Sequence, residues 1–140
     1  MDPLAGLQVL VLEDDPLVRR GLSRALRVAG HDVVAVERCS GVRGLAHGFD
    51  VAILDLELPD GSGVEVASEL LALGATRGVV FFSGAGDPVL LRQAERLGAV
   101  VAKSGNLKPL LDAIDKSQRS RAKRAKRARQ VRRTTRLARR

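Results

Sequence analysis

Four carboxylates, a hydroxyl and an ammonium group stand where this chain could gather them. Glu13, Asp14 and Asp15 directly follow the apolar run LQVLVL at 7–12, and Asp55 directly follows VAIL at 51–54. Ser83 follows GVVFF at 78–82, and Lys103 follows AVVA at 99–102. If the first and third runs are neighbouring strands, the acids converge at one edge of a sheet. Like charges held so close raise one another's pKa and repel, so a hard divalent cation with oxygen ligands, Mg²⁺ above all, is the natural compensation. A hydroxyl and an ammonium on the other side complete a set suited to a phosphoryl group bridged to a metal. Taken singly, each residue has a plainer reading: Asp15 before Pro16 is a helix N-cap, and Lys103 is a solvated lysine. The joint placement carries the signal.

The elements that must position these groups are legible as an alternation. The four runs above and DVVAV at 32–36 are rich in β-branched residues and nearly continuous, as strands are when both faces of a parallel sheet are covered. Between them, apolar residues three and four apart predict helices over 16–29, 40–47, 63–73, 88–97 and about 107–117. Asp15-Pro16 and Asp87-Pro88 are start signals, Ser62 and Glu65 have capping-box spacing, and Gly30, Gly74 and Gly98 fall where helices should stop. Five βα units with right-handed crossovers give an α/β fold, a doubly wound five-stranded parallel sheet. Functional groups then belong at the carboxyl ends of the strands, near the point where strand order reverses.

At 140 residues the chain suits one domain, 1–117, with a basic tail, 118–140. The net charge of +8 hides an asymmetry: residues 1–115 hold sixteen acidic and eleven basic side chains, while 116–140 hold thirteen basic and no acidic ones. Cys39 is the only cysteine, which excludes an intramolecular disulfide, and no Cys/His spacing matches a zinc site. The N-terminus carries Asp2 where a signal peptide would be basic, and no segment reaches the roughly 20 apolar residues needed to span a membrane. The expected location is cytoplasmic. His31 and His47 read as structural or exposed.

Residues 5 to about 117 resemble the receiver domain of two-component response regulators, through VLVLEDDPLVR, VAILDLELPDGSG, VVFFSGAG and GAVVAKSG in that order. The resemblance implies the flavodoxin-like fold and a phosphoacceptor at Asp55. It further implies that Asp14 binds Mg²⁺ directly, that Glu13 assists through water, and that the backbone carbonyl of Glu57 completes the metal site. Ser83 would hydrogen-bond the phosphoryl oxygens and Lys103 would pair with them. The donor would be a histidine kinase or phosphotransfer protein, and the chain would catalyse only its own phosphorylation and dephosphorylation. A homodimer through the face made by 88–97, 99–102 and 107–117 is a further implication. Two departures stand out. Val100 occupies the position, three before the lysine, where the family commonly has Tyr or Phe, and Ser104 replaces the frequent proline after it. Glu57 and Ala85 border the approach of the hydrolytic water.

The tail has no helix-turn-helix, no zinc ligands and no second core. Its five Lys/Arg pairs at i,i+4 and eight at i,i+3, at about 0.3 kcal/mol each, oppose a free helix by roughly 4 kcal/mol. Ala, Arg and Lys are nevertheless good helix formers, and no Gly or Pro intervenes. The tail is thus expected either to prolong the last helix or to be frayed alone and gain helix on a polyanion. Without aromatics it lacks a stacking platform for single strands. Arg119, Arg121, Lys123, Arg124, Lys126, Arg127, Arg129, Arg132, Arg133 and Arg136 offer phosphate contacts, and duplex DNA is the expected partner. An adaptor whose tail docks on an acidic protein, and a constitutive histone-like binder, are the alternatives. A membrane partner is disfavoured because the tail has no apolar face.

Overall fold

The computed structural model describes residues 6–45, 48–84 and 86–139. Five strands, β1 (Gln8–Leu12), β2 (Asp32–Val36), β3 (Val51–Leu54), β6 (Val79–Ser83) and β7 (Ala99–Ala102), form one parallel sheet in the order β2-β1-β3-β6-β7. A small antiparallel ladder pairs β4 (Glu57–Leu58) with β5 (Gly61–Ser62). The four helices are α1 (Pro16–Val28), α2 (Gly63–Ala72), α3 (Pro88–Leu97) and α4 (Lys108–Ala138). This is the flavodoxin-like doubly wound sheet, with its reversal of strand order between β1 and β3.

The sheet divides two cores, because successive strand residues point to opposite faces. Val9, Val11, Ile53, Val80 and Phe82 pack with Leu22 and Leu26 of α1 and Leu110 and Ile114 of α4. Leu10, Leu12, Leu54 and Phe81 pack with Val66, Ala67 and Leu70 of α2 and Ala94 of α3. The inner strands β1, β3 and β6 are almost wholly buried. The edge strands β2 and β7 are partly exposed, so the expectation of two covered faces applies only to the inner three.

Local signals act where the sequence placed them. Asp15 caps α1, accepting from the N–H groups of Leu17 (2.9 Å) and Val18 (3.4 Å). Ser62 Oγ accepts from the Glu65 N–H at 3.2 Å. Gly30 and Gly74 follow α1 and α2 in the left-handed region, at φ +94° and +66°. Gly98 also ends its helix, but in extended backbone and for another reason: a Cβ there would lie 2.2 Å from the Val79 carbonyl oxygen.

The helix expected over 40–47 is absent from its described part. A single 3-10 turn, Cys39–Gly41, takes its place and leads into further turns. Gly41 and Gly44 explain this, since each costs about 1 kcal/mol relative to Ala in a helix, and Gly44 adopts φ +84°. Asp60 organises the turn instead, its carboxylate accepting from the N–H groups of Cys39 (2.8 Å) and Ser40 (3.0 Å). His47 and Ala85 lie outside the described residues. His31 is structural: its Nδ1 accepts from the Leu7 N–H at 3.2 Å.

Helix α4 does not stop near Ser117 but continues unbroken to Ala138. Fully burying Leu110 and Ile114 stabilises its first turns by about 2 kcal/mol each. Its last buried residue is Gln118, whose Nε2 donates to the Asp50 carbonyl at 3.1 Å. One turn on, Arg121 pairs with the Asp50 carboxylate at 3.7 Å. From 122 to 139 every residue is exposed. Where charge repulsion predicts fraying, the structure is helical, in line with the propensity of Ala, Arg and Lys and with a docked N-terminal half that supplies the nucleus.

Candidate functional site

β1 and β3 lie side by side, with Leu12 level with Leu54, so the residues that follow them emerge together. Asp55 N–H donates to the Leu12 carbonyl at 3.0 Å and Glu13 N–H to the Val36 carbonyl at 3.0 Å, which extends the ladders one step past the strands. Glu13 is 1% exposed and Asp55 7%, while Asp14 points to solvent. Lys103 N–H donates to the Ser83 carbonyl at 2.7 Å, and this bond anchors the lysine beside the end of β6.

The Lys103 ammonium bridges the two buried acids. Its Nζ lies 2.9 Å from Glu13 Oε2, 3.1 Å from Glu13 Oε1 and 2.9 Å from Asp55 Oδ2. The Phe82 ring lies beneath it, 6.0 Å from the nitrogen. Burial pushes both carboxyls above the ordinary carboxylate range, and the lysine only partly offsets this. For Lys103 the balance is reversed: burial alone would lower its pKa, but its hydrogen bonds to Glu13 and Asp55 hold it above the usual lysine value.

One oxygen from each of Glu13, Asp14 and Asp55 lies within 4.8 Å of the others. Three convergent carboxylates, one of them open to solvent, fit a hard cation that keeps part of its water shell. Of the residues singled out from sequence, Glu13, Asp14, Asp55 and Lys103 are brought together. Ser83, buried, ends the strand next to β3. Glu57 stands exposed in β4, and its backbone amide draws the Asp55 pKa down against the effect of burial. Asp15 is turned away from this set and spent on its cap. Val100, in β7 level with Phe81, packs, partly buried, against the core shared with α2 and α3.

Two supporting residues escaped the sequence reading. A Cβ on Gly63 would lie 2.0 Å from the Asp55 carbonyl oxygen, so only glycine lets α2 begin against the backbone at the end of β3. The DGSG run was the visible trace of this. Arg19 Nη1 donates to the carbonyls of Glu13 (3.0 Å) and Asp14 (3.3 Å), fixing the loop that carries both acids. Its only trace was a spacing of five to six residues.

The family description "Response regulator receiver domain" matches residues 9–115. The chain therefore belongs to the response regulator receiver family of two-component systems. It is 34% identical over 97 residues to the probable transcriptional regulatory protein NarL of Mycobacterium tuberculosis, covering 66% of this chain and 45% of that protein. It is 42% identical over 72 residues to the transcriptional regulatory protein KdpE of the same organism, covering 50% of this chain and 29% of that one. The chain thus spans less than half the length of these relatives. In fold it is similar to the response regulator TrrA of Thermotoga maritima, solved in complex with Mg(2+)-BeF, at TM-score 0.67 and 24% identity over 79% of this chain and 98% of that one. Among the described residues no helix is long and apolar enough to cross a membrane.

Proposed function

We propose that this chain is a phosphorylation-switched response regulator of the cytoplasm, in which Asp55 accepts a phosphoryl group and the basic continuation of α4 binds duplex DNA. The observation that carries the first half is the Lys103 bridge to Glu13 and Asp55, at 2.9 Å each. Such a bridge holds an ammonium where negative charge gathers when a phosphoryl group arrives. An Asp55 carboxylate oxygen attacks the phosphorus of a phosphohistidine on a kinase or phosphotransfer partner. The new O–P bond forms as the P–N bond breaks, and the imidazole leaves with the electron pair. Lys103 then turns its charge from the free carboxylate to the phosphoryl oxygens, and the Ser83 hydroxyl donates to one of them. Asp14, Asp55, Glu13 and the Glu57 carbonyl would hold Mg²⁺, which would supply neutralisation of the transferred charge. Water later hydrolyses the acyl phosphate, so the chain turns over no external metabolite.

The second half rests on charge. The exposed span from residue 122 to residue 139, α4 and its C-cap, contains nine Lys or Arg and no acid. If about ten tail cations meet duplex phosphates, log K falls against log salt with a slope near −9. That two relatives are named transcriptional regulatory proteins accords with this reading. The test is phosphorylation by a small-molecule phosphodonor with Mg²⁺, read by mass, and duplex affinity across a salt series. Incorporation of one phosphoryl group in the wild type and none in Asp55→Asn is expected. A phosphorylated Asp55→Asn protein, or duplex binding indifferent to salt, overturns the respective half.

A further inference from the structure

Between the end of α3, the start of β7 and the flank of α4 runs a groove of about 710 Å³. It reaches the pole opposite Asp55, where β6 and β7 begin. Four cations from three separate elements line it: Arg77 before β6, Arg96 in the last turn of α3, and Lys116 and Arg124 of α4. All four side chains are exposed, and among the described residues none has a carboxylate within 4.0 Å. Two acids, Glu95 and Asp112, share the lining, which leaves the cations in excess by two. Gly78 and Gly98, also in the lining, put no side chains into it.

Like charges from separate elements gathered in a concavity repel one another, and low-dielectric walls concentrate their field. The chemical class that relieves this is the phosphate group, through charge-assisted hydrogen bonds from guanidinium and ammonium. Arg124 belongs to the first turn of α4 beyond its Asp50 anchor, and Arg127 follows on the same helical face. From Lys116 to Arg127 the row is about 17 Å long, longer than one small anion and continuous with the exposed tail. We propose that the groove seats phosphates of the same duplex that the tail binds, so that the nucleic-acid interface continues from the helix onto the body of the domain.

This inference rests on the tail reading above, and one experiment separates the two. Duplex affinity of the full chain is followed from about 50 to 200 mM salt for the wild type, for Arg77→Gln/Arg96→Gln, and for Arg20→Gln/Arg24→Gln, which removes equal charge from α1. Each lost phosphate contact removes about 0.9 from the slope. The groove variant is expected to flatten the slope by nearly 2 and to weaken binding about tenfold at the low-salt end. The α1 variant should leave the slope in place. In parallel, the Gly78 and Gly98 amide resonances are followed on titration with duplex and with inorganic tripolyphosphate. Amides that shift with duplex in the wild type but not in the groove variant support the proposal. Equal slopes in wild type and groove variant overturn it and leave the tail reading standing. Amide shifts with tripolyphosphate alone, at an unchanged duplex slope, overturn it in favour of a small-anion site. A wild type without duplex affinity removes both readings.

Discussion

The two ends of β3 manage charge in opposite ways. At its carboxyl end, Lys103 pairs with Glu13 and Asp55 together, and the largely buried set is one ammonium against two carboxylates. At its amino end, Asp50 faces the root of a helix carrying eleven basic residues from Lys116 to Ala138, and engages one of them, Arg121, at 3.7 Å. The first end is a closed ionic knot that the proposed phosphoryl transfer would have to reopen. The second is an open excess that asks for a polyanion. The four residues of β3 separate Asp50 from Asp55, five steps and about 17 Å in all, twice the Debye length of about 8 Å at physiological salt. A phosphoryl group accepted at Asp55, as proposed, would therefore be screened from the tail, and its influence would have to pass through packed elements rather than through space.

The contrast breaks most sharply in the tail. Replacing Lys123, Arg124, Lys126, Arg127 and Arg129 by Gln should remove about half of the salt slope and weaken duplex binding more than a hundredfold at low salt, as measured by fluorescence anisotropy. The knot should be unaffected, with phosphorylation of Asp55 proceeding as before. Next comes Gly63→Ala at the other end, which drives a methyl group to 2.0 Å from the Asp55 carbonyl oxygen. Urea unfolding should register a loss of about 3 kcal/mol, and a variant as stable as wild type would mean that α2 can retreat from the strand.

Lys103→Met opens the knot without touching the tail. It strands two carboxyls that burial already pushes upward, and because Lys103 is itself partly exposed the cost should be about 2 kcal/mol at pH 7. The sign is fixed by linkage: carboxyls whose folded pKa lies above the unfolded value favour the folded state below the unfolded pKa, and this advantage is lost as pH rises through the folded pKa. The variant's deficit should therefore shrink between pH 7 and pH 5. A deficit that grows on acidification contradicts the reading. The smallest effect belongs to Asp60, whose pKa the Ser40 and Cys39 amides lower to about 2. Its contribution is present above about pH 4 and disappears as pH falls to 2, so wild type and Asp60→Asn should converge in thermal stability at that limit.

The sheet was legible because its signals are local: apolar runs for strands, Asp-Pro starts and glycine stops for helices. The acids, Ser83 and Lys103 were legible for the same reason, since each follows a strand directly. What stayed hidden was non-local. Gly63 matters only because α2 returns against Asp55, and Gly98 only because α3 ends on the Val79 carbonyl. Asp60 reaches back across the fold to cap a turn twenty residues earlier. The segment at 40–47 misled because its apolar spacing suits a helix while its glycines do not. The anchoring of Gln118 and Arg121 on Asp50 joins positions about seventy residues apart, and no spacing rule announces it.

The continuity of α4 gives the tail an angular address. With no Gly or Pro between Lys116 and Ala138, each side chain's bearing around the helix is indexed to the body at about 100° per residue. One alanine inserted after Arg121 would turn every later cation by that angle and advance it by about 1.5 Å, with composition and charge unchanged. The domain thus sets the direction in which its cations face as well as carrying them, and a ligand that spans body and helix must match that bearing.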